Sequence, residues 1–188
     1  MIAVETEARQ DQRNDDLKAL IRTIPDFPKP GIQFRDITTL LLDAKGFAEA
    51  IARMAAATVG KVDLVAGIEA RGFIFAAALA APLGAGVLLI RKDGKLPGAT
   101  IAEDYALEYG TDRIAMHEDA LVPGQRVLLV DDLIATGGTA RAAVRLLRKA
   151  GAVVEQAQFL LDLPDLDGAD ALRAEGLSVD ALIAFEGH

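Results

Sequence analysis

The apolar positions at the start of the chain follow the spacing of an amphipathic helix. We predict this helix over residues 15–24, ended by Pro25, because four apolar side chains share one face. These side chains are Leu17, Leu20, Ile21 and Ile24. Pro and Gly dominate the following segment, PDFPKPG, so the chain is predicted to run extended into residues 32–42.

From residue 43 onward, helical and strand patterns alternate along the chain. We predict helices at residues 43–59, 71–83 and 139–150, and strands at residues 62–66, 87–90, 126–130, 153–161 and 181–184. Such alternation indicates an α/β fold with a central, mostly parallel sheet flanked by helices. In open sheets of this kind, ligands bind at the carboxyl ends of the strands.

One uncharged stretch, residues 72–90, is long enough to raise the question of a membrane span. Pro82, Gly84 and Gly86 interrupt it, and much of it is Ala, which contributes little to membrane insertion. We therefore interpret it as a buried helix, a turn and a buried strand, and we expect no membrane partner.

Length and composition favour one domain. The 188 residues can bury a full hydrophobic core, and we expect residues 15–188 to form a single domain after a frayed terminus at residues 1–14. That terminus is polar, so we expect no secretory signal. The chain has no Cys and only two His, which excludes disulfides and a thiolate nucleophile and argues against a His-rich metal site.

The charge balance narrows the class of partner. The formal net charge is −8, so the average surface repels phosphate backbones and anionic lipid, and we expect no nucleic-acid partner. A local basic patch can still bind a small anion. A cytoplasmic enzyme is compatible with this composition.

The stretch VLLVDDLIATGGTA at residues 127–140 places polar groups at the end of a predicted strand. Asp131 and Asp132 emerge from the strand, and a loop leads from them into the next helix. The loop consists of Ala135, Thr136, Gly137, Gly138 and Thr139. Its glycines allow backbone N–H groups to converge, its threonines add hydroxyl donors, and the helix N-terminus favours an anion. The pattern predicts a phosphate site.

The two carboxylates would repel a bare phosphate, so they must face groups that donate hydrogen bonds or carry positive charge. Ribose hydroxyls and a bound Mg²⁺ both qualify, and a ribose 5-phosphate is the simplest ligand that satisfies both halves of the motif. The alternative is an ordinary acidic turn before a helix. The sequence contains no G-x-x-x-x-G-K-[ST] motif, which excludes a P-loop nucleotide site.

The segment VLLVDDLIATGGT resembles the signature of the type I phosphoribosyltransferases, which use phosphoribosyl pyrophosphate (PRPP). Four further segments resemble the adenine-specific members of that family: FPKPGIQFRDITTLL, GIEARGF, RKDGKLPG and YALEYG. The resemblance extends from about residue 17 to residue 186. It implies the type I phosphoribosyltransferase fold, with a small base-binding hood at about residues 25–42 and a mobile catalytic loop at about residues 95–110.

The resemblance implies that adenine and PRPP react to give AMP and pyrophosphate through an oxocarbenium-like displacement at the ribose. Such a reaction needs no protein nucleophile. The resemblance places the pyrophosphate ligands at Glu69, Ala70, Arg71, Arg91, Lys92 and Lys95, and a non-proline cis peptide near Arg71. It also implies that Mg²⁺ is carried by PRPP itself, with no direct protein ligand.

The resemblance assigns catalytic roles to Arg71, to Glu108 as general acid or base, and to Tyr109, which orders the loop. It places adenine against the backbone around Gln33 and Arg35, with the ring flanked by Phe34 and Leu133. Main-chain groups suit this task because adenine donates at N6 and accepts at N1, the reverse of the six-oxo purines.

Two alternatives to adenine transfer stay open at this point. One is a phosphoribosyltransferase for another purine, such as hypoxanthine, guanine or xanthine, on the same scaffold. The other is a non-catalytic regulator that senses PRPP, although neither an added domain nor a basic face for nucleic acid is apparent. Family resemblance also implies a homodimer.

Overall fold

A computed structural model of the chain describes residues 14–106 and 110–187. Its strands are β1 (Arg22–Pro25), β2 (Gln33–Asp36), β3 (Leu64–Ile68), β4 (Gly86–Lys92), β5 (Thr100–Ala106), β6 (Thr111–His117), β7 (Arg126–Ile134), β8 (Val153–Asp162) and β9 (Ser178–Ala184). Its α-helices are α1 (Asp15–Lys18), α2 (Thr38–Leu42), α3 (Ala44–Ala57), α4 (Gly72–Leu83), α5 (Gly138–Lys149) and α6 (Gly168–Ala174), and Pro164–Leu166 forms a 3₁₀ turn.

The seven-stranded central sheet has the order β5-β6-β4-β3-β7-β8-β9. Strands β4, β3, β7, β8 and β9 run parallel, whereas the hairpin of β5 and β6 joins β4 in the antiparallel direction. Strands β1 and β2 form a separate antiparallel pair. The predicted α/β class with a mostly parallel sheet is confirmed.

Two apolar clusters hold the helices against the two faces of the sheet. Along β7, Val127 and Leu129 belong to the cluster that contains α5, whereas Leu128 and Val130 belong to the cluster that contains α3 and α4. This division follows from the two-residue period of a strand. A run of four aliphatic residues therefore fits a strand that is buried on both faces.

The prediction for residues 15–24 is wrong in its second half. Helix α1 ends at Lys18, and Arg22–Pro25 pairs with β2 instead. Of the four apolar residues predicted to share one face, Leu17 and Ile21 are buried, whereas Leu20 and Ile24 are half-buried. The backbone becomes extended because a residue that precedes proline, here Ile24, disfavours helical geometry.

The prediction of an extended chain through residues 32–42 is also wrong beyond Asp36, because Thr38–Leu42 forms α2. The Asp36 carboxylate accepts hydrogen bonds from the N–H and the hydroxyl of Thr38, at 2.9 and 2.7 Å. The first backbone N–H of this helix, which has no partner within the helix, is therefore hydrogen-bonded. Helix α6 was not predicted at all.

Several strands are longer or shifted relative to the prediction. Strand β3 covers Leu64–Ile68 rather than residues 62–66. Strands β4 and β7 extend far enough to include Arg91, Lys92, Asp131 and Asp132, which the sequence pattern placed just beyond the strand ends. Residues 72–90 form α4, a turn at Gly84 and most of β4, and no helix in the described part of the chain is long and apolar enough to cross a membrane.

Candidate active site

A cavity of about 390 Å³ lies at the carboxyl ends of β3, β4 and β7. Its lining comes from residues 68–71, from Lys92 and from residues 131–140. This is the edge of an open α/β sheet at which ligands bind. The structure therefore brings the turn around Arg71 to the acidic pair and the glycine-rich loop, from which it is distant in sequence.

Two glycines, one in the loop of residues 135–139 and one packed against it, allow the backbone conformation of this loop. Gly137 has a φ of 76°, a left-handed conformation that glycine adopts at little cost, and α5 begins at the next residue. Gly168, the first residue of α6, lies directly against this loop: a Cβ atom at Gly168 would lie 2.1 Å from the carbonyl oxygen of Ala135. Sequence analysis missed Gly168, because no motif links it to the loop.

The two adjacent aspartates of the cavity differ in their surroundings. The carboxylate of Asp132 is buried and forms an ion pair with Arg71, whose Nε donates to it. The carboxylate of Asp131 accepts a hydrogen bond from the backbone N–H of Asp132 at 2.8 Å. Burial and the neighbouring charge of Asp132 raise the pKa of Asp131 well above its usual range. A ligand that donates hydrogen bonds or carries positive charge would offset both effects.

Gly72 lets the N-terminus of α4 approach these acids. A Cβ atom at Gly72 would lie 2.8 Å from Oδ1 of Asp131 and 2.9 Å from the carbonyl oxygen of Val130. These distances are too short for any other residue without movement of the backbone. Gly72 follows Arg71 in the GIEARGF segment, so the sequence offered a signal for it, although sequence analysis did not assign it a role.

The turn before α4 contains a cis peptide bond between Glu69 and Ala70. The Glu69 carboxylate accepts hydrogen bonds from the Arg91 guanidinium and from the backbone N–H of Lys92, both at 2.9 Å. The hydrogen bond from Arg91 is the main cause that lowers the pKa of Glu69. Arg91 also donates to the carbonyl oxygen of Lys95 at 2.9 Å. Of the predicted cationic ligands, Arg71 and Lys92 line the cavity. Arg91 adjoins it through its ion pair with Glu69, and Lys95 contacts Arg91 through its carbonyl oxygen.

The residues predicted to contact adenine fall in two places. Leu133 lines the cavity, whereas Gln33, Phe34 and Arg35 lie on β2, outside that lining. The ring of Phe34 packs edge-to-face on Phe27, with 5.1 Å between the ring centroids. Glu108 and Tyr109 lie outside the described residues.

Arg35 connects the β1–β2 pair to the end of the chain. Its guanidinium donates to the Thr23 hydroxyl at 2.7 Å and to the carbonyl oxygens of Glu186 and Gly187, each at 3.3 Å. It also lies 4.4 Å from the centre of the Phe185 ring. The small sheet is therefore fixed to the segment that follows β9.

The described residues contain no group of three or more His, Asp or Glu side chains that could hold a metal ion. Glu69, Asp131 and Asp132 are the carboxylates in the lining of the cavity, and Glu69 and Asp132 already form ion pairs with Arg91 and Arg71. A Mg²⁺ ion here would therefore keep ligands from the substrate and water, as this ion commonly does in phosphate sites. The donor set fits a metal that arrives with an anionic substrate.

Comparison with known proteins agrees with this geometry. Residues 38–164 match the family model described as the phosphoribosyl transferase domain. The fold and the cavity thus define a phosphoribosyltransferase. Curated relatives indicate which phosphoribosyltransferases the chain is similar to. The adenine phosphoribosyltransferase of Bradyrhizobium sp. strain BTAi1 is 62% identical to this chain over 174 residues, which cover 92% of this chain and 97% of the relative.

Solved structures give the same result. The crystal structure of adenine phosphoribosyltransferase from Thermoanaerobacter pseudethanolicus is 49% identical, with a TM-score of 0.86 and coverage of 91% of this chain and 99% of that one. The Giardia lamblia enzyme, solved with 9-deazaadenine, is 34% identical, with a TM-score of 0.85 and coverage of 91% and 97%. The chain belongs to the adenine phosphoribosyltransferase family.

Proposed function

We propose that the protein transfers the phosphoribosyl group of PRPP to adenine in the cavity at the ends of β3, β4 and β7. The observation that carries the proposal is the presence of a phosphate-type loop, an acidic pair and two cations in one cavity. The N–H groups and hydroxyls of residues 135–139 would bind the 5-phosphate, and Asp131 and Asp132 would accept hydrogen bonds from the ribose hydroxyls.

The opposite side of the cavity suits pyrophosphate. Ala70, Arg71 and Lys92 would contact it, and the Glu69, Arg91 and Lys95 group would hold the surrounding turn. In the reaction the bond from the anomeric carbon to pyrophosphate breaks and a bond to N9 of adenine forms, while the N9 proton passes to Glu108. The cations stabilise the departing charge. Mg²⁺, bound with PRPP, would neutralise further charge on its oxygens.

Adenine would bind between Leu133 and the β1–β2 hood. Backbone groups near Gln33 and Arg35 would hydrogen-bond its N1 and N6, Phe34 would contact its ring, and Tyr109 would order the loop that carries Glu108. The Giardia relative, solved with an adenine analogue, supports this choice of base. The cytoplasm is the proposed compartment, since a chain without Cys needs no oxidising environment.

The proposal includes a homodimer, supported by apolar side chains that are exposed on α4 and β4. Ile74 of α4 and Val87 and Leu89 of β4 are 40%, 43% and 42% exposed. Val87 pairs in register with Val65, which packs in the cluster of α4, so these side chains lie on the same face of the sheet as that helix. A second copy of the chain would cover this surface.

The test is a steady-state assay that follows pyrophosphate release from Mg²⁺-PRPP with adenine, hypoxanthine, guanine and xanthine in separate reactions. We expect strong turnover with adenine alone. Preference for another base would retain the PRPP site and refute the base assignment. Binding of PRPP without turnover on any base would instead support the regulator alternative.

A further inference from the structure

Lys92 makes contacts that its place in the cavity does not require. Its ammonium donates to the hydroxyl of Tyr105 at 2.7 Å and forms an ion pair with Asp112. The Tyr105 hydroxyl in turn donates to the same Asp112 carboxylate at 3.0 Å. Tyr105 and Asp112 are directly opposite each other on β5 and β6, so the three groups form a closed triangle between β4 and the hairpin.

Both partners of Lys92 are themselves fixed. Tyr105 is 5% exposed and belongs to the core cluster that contains α5. The second carboxylate oxygen of Asp112 accepts a hydrogen bond from the backbone N–H of Arg113 at 2.8 Å. An ammonium has three N–H donors. Two of them serve Tyr105 and Asp112, which leaves the third for an anion in the cavity that Lys92 lines.

The same contacts affect the charge of Lys92. Burial lowers the pKa of this lysine, but the hydrogen bonds with Asp112 and Tyr105 outweigh burial and raise the pKa. The hydrogen bond from Lys92 likewise lowers the pKa of Asp112. The triangle thus contains one ammonium and one carboxylate, both charged.

We propose that Asp112 and Tyr105 are positioning residues, which hold the Lys92 ammonium where the pyrophosphate group of PRPP meets it. Neither residue lines the cavity, so each acts through Lys92. A lysine side chain is long and flexible, and without fixed partners it would lose more rotamer entropy when it binds an anion. This inference rests on the proposed function of Lys92 as a pyrophosphate ligand.

The test is Asp112→Asn, with Asp104→Asn as the matched control. Asp104 lies on the same hairpin and pairs with Arg113 at 2.6 Å, but its side chain is 62% exposed. Both substitutions remove one negative charge from the hairpin. We expect Asp112→Asn to raise KM for PRPP about tenfold, the loss typical of one charge-assisted hydrogen bond, with kcat and KM for adenine nearly unchanged. Asp104→Asn should leave all three constants unchanged.

A second, more conservative variant tests the same inference in case Asp112→Asn fails to fold. Tyr105→Phe removes only the hydroxyl and keeps the ring in the core, so the fold should be retained and KM for PRPP should rise about threefold. Thermal unfolding of each variant checks the fold independently of activity.

A double-mutant cycle separates positioning from a structural role. In a Lys92→Met background, Asp112→Asn should cause no further increase in KM for PRPP, because no ammonium remains to be positioned. An equal increase in both backgrounds, or identical effects of Asp112→Asn and Asp104→Asn, would overturn the inference. If Lys92→Met itself leaves KM for PRPP unchanged, the proposed role of Lys92 fails, and the inference fails with it.

Discussion

Single glycines determine how closely the backbone segments of the cavity approach one another. Gly168 and Gly72 have no side chain, and a Cβ atom added to either would lie within 3 Å of a neighbouring atom, 2.1 Å at Gly168 and 2.8 Å at Gly72. The double glycine of the loop was visible in the sequence because both residues belong to one motif. Gly168 was not, because it acts through a tertiary contact with Ala135.

We expect Gly168→Ala to impair PRPP binding and stability together. The added Cβ atom would lie 2.1 Å from the Ala135 carbonyl oxygen, so the loop backbone must move. The free energy of unfolding should fall by about 1–3 kcal/mol, measured by urea titration, and KM for PRPP should rise. The control is Gly86→Ala, whose Cβ atom would come closer than 3 Å only to the end of the flexible Leu64 side chain. Equal behaviour of the two variants would contradict this account of the loop.

Asp36 makes a pH-dependent contribution to stability. Hydrogen bonds from Thr38 and Arg22 lower the pKa of Asp36 to about 2. Because the folded pKa lies below the unfolded value, the stabilisation is present above about pH 4 and is lost as pH falls toward 2. In urea titrations, Asp36→Asn should therefore be less stable than the original chain near pH 6, and this difference should shrink near pH 2.5. A difference that does not change with pH would show that the charge of Asp36 does not contribute to stability.

At the scale of helices and strands, the sequence predicts which central strands are buried, but it does not predict which strands pair. The central strands were recognised because strands buried on both faces are continuous apolar runs, as in residues 127–130. Strand β1 escaped prediction because its four residues become a strand only by pairing with β2. Helix α6 has seven residues, too few for a clear helical period. The site motifs were recognised as strings, but the contacts of Arg71 with Asp132 and of Lys92 with Asp112 depend on the topology.

The β1–β2 hood should loosen when Arg35 is lost. Arg35→Ala removes three hydrogen bonds and the contact with the Phe185 ring. We expect amide hydrogen exchange in β1 and β2 to become about tenfold faster, while exchange in the central sheet stays unchanged. Lys29→Ala, an exposed substitution between the same strands, is the control. Unchanged protection in Arg35→Ala would mean that β1 and β2 do not depend on this connection.

At the scale of the whole molecule, the protein has a negative net charge but concentrates positively charged side chains at one site. The formal net charge of −8 argues against polyanionic partners, yet Arg71, Arg91, Lys92 and Lys95 gather at or beside one cavity. Three of the four contact carboxylates of Asp132, Glu69 or Asp112. Composition alone could not reveal this local concentration of positive charge, because it depends on how the sheet brings distant segments together.

The proposed dimer should dissociate when its apolar surface is charged. Ile74→Asp places a carboxylate on the proposed interface that includes Val87 and Leu89, where a partner would bury it. Sedimentation velocity should show a monomer for this variant and a dimer for the original chain. Val122→Asp, at an apolar residue 67% exposed elsewhere, should remain dimeric. A dimer that survives Ile74→Asp would place the interface on another surface.

The most direct test of the central claim is a crystal structure of the protein with Mg²⁺, PRPP and 9-deazaadenine. We expect the 5-phosphate at the N–H groups of residues 135–139, the ribose hydroxyls at Asp131 and Asp132, and the pyrophosphate at Arg71 and Lys92. The base should lie between Leu133 and the hood. PRPP bound away from the loop of residues 135–139, or pyrophosphate oriented away from Arg71 and Lys92, would contradict the account.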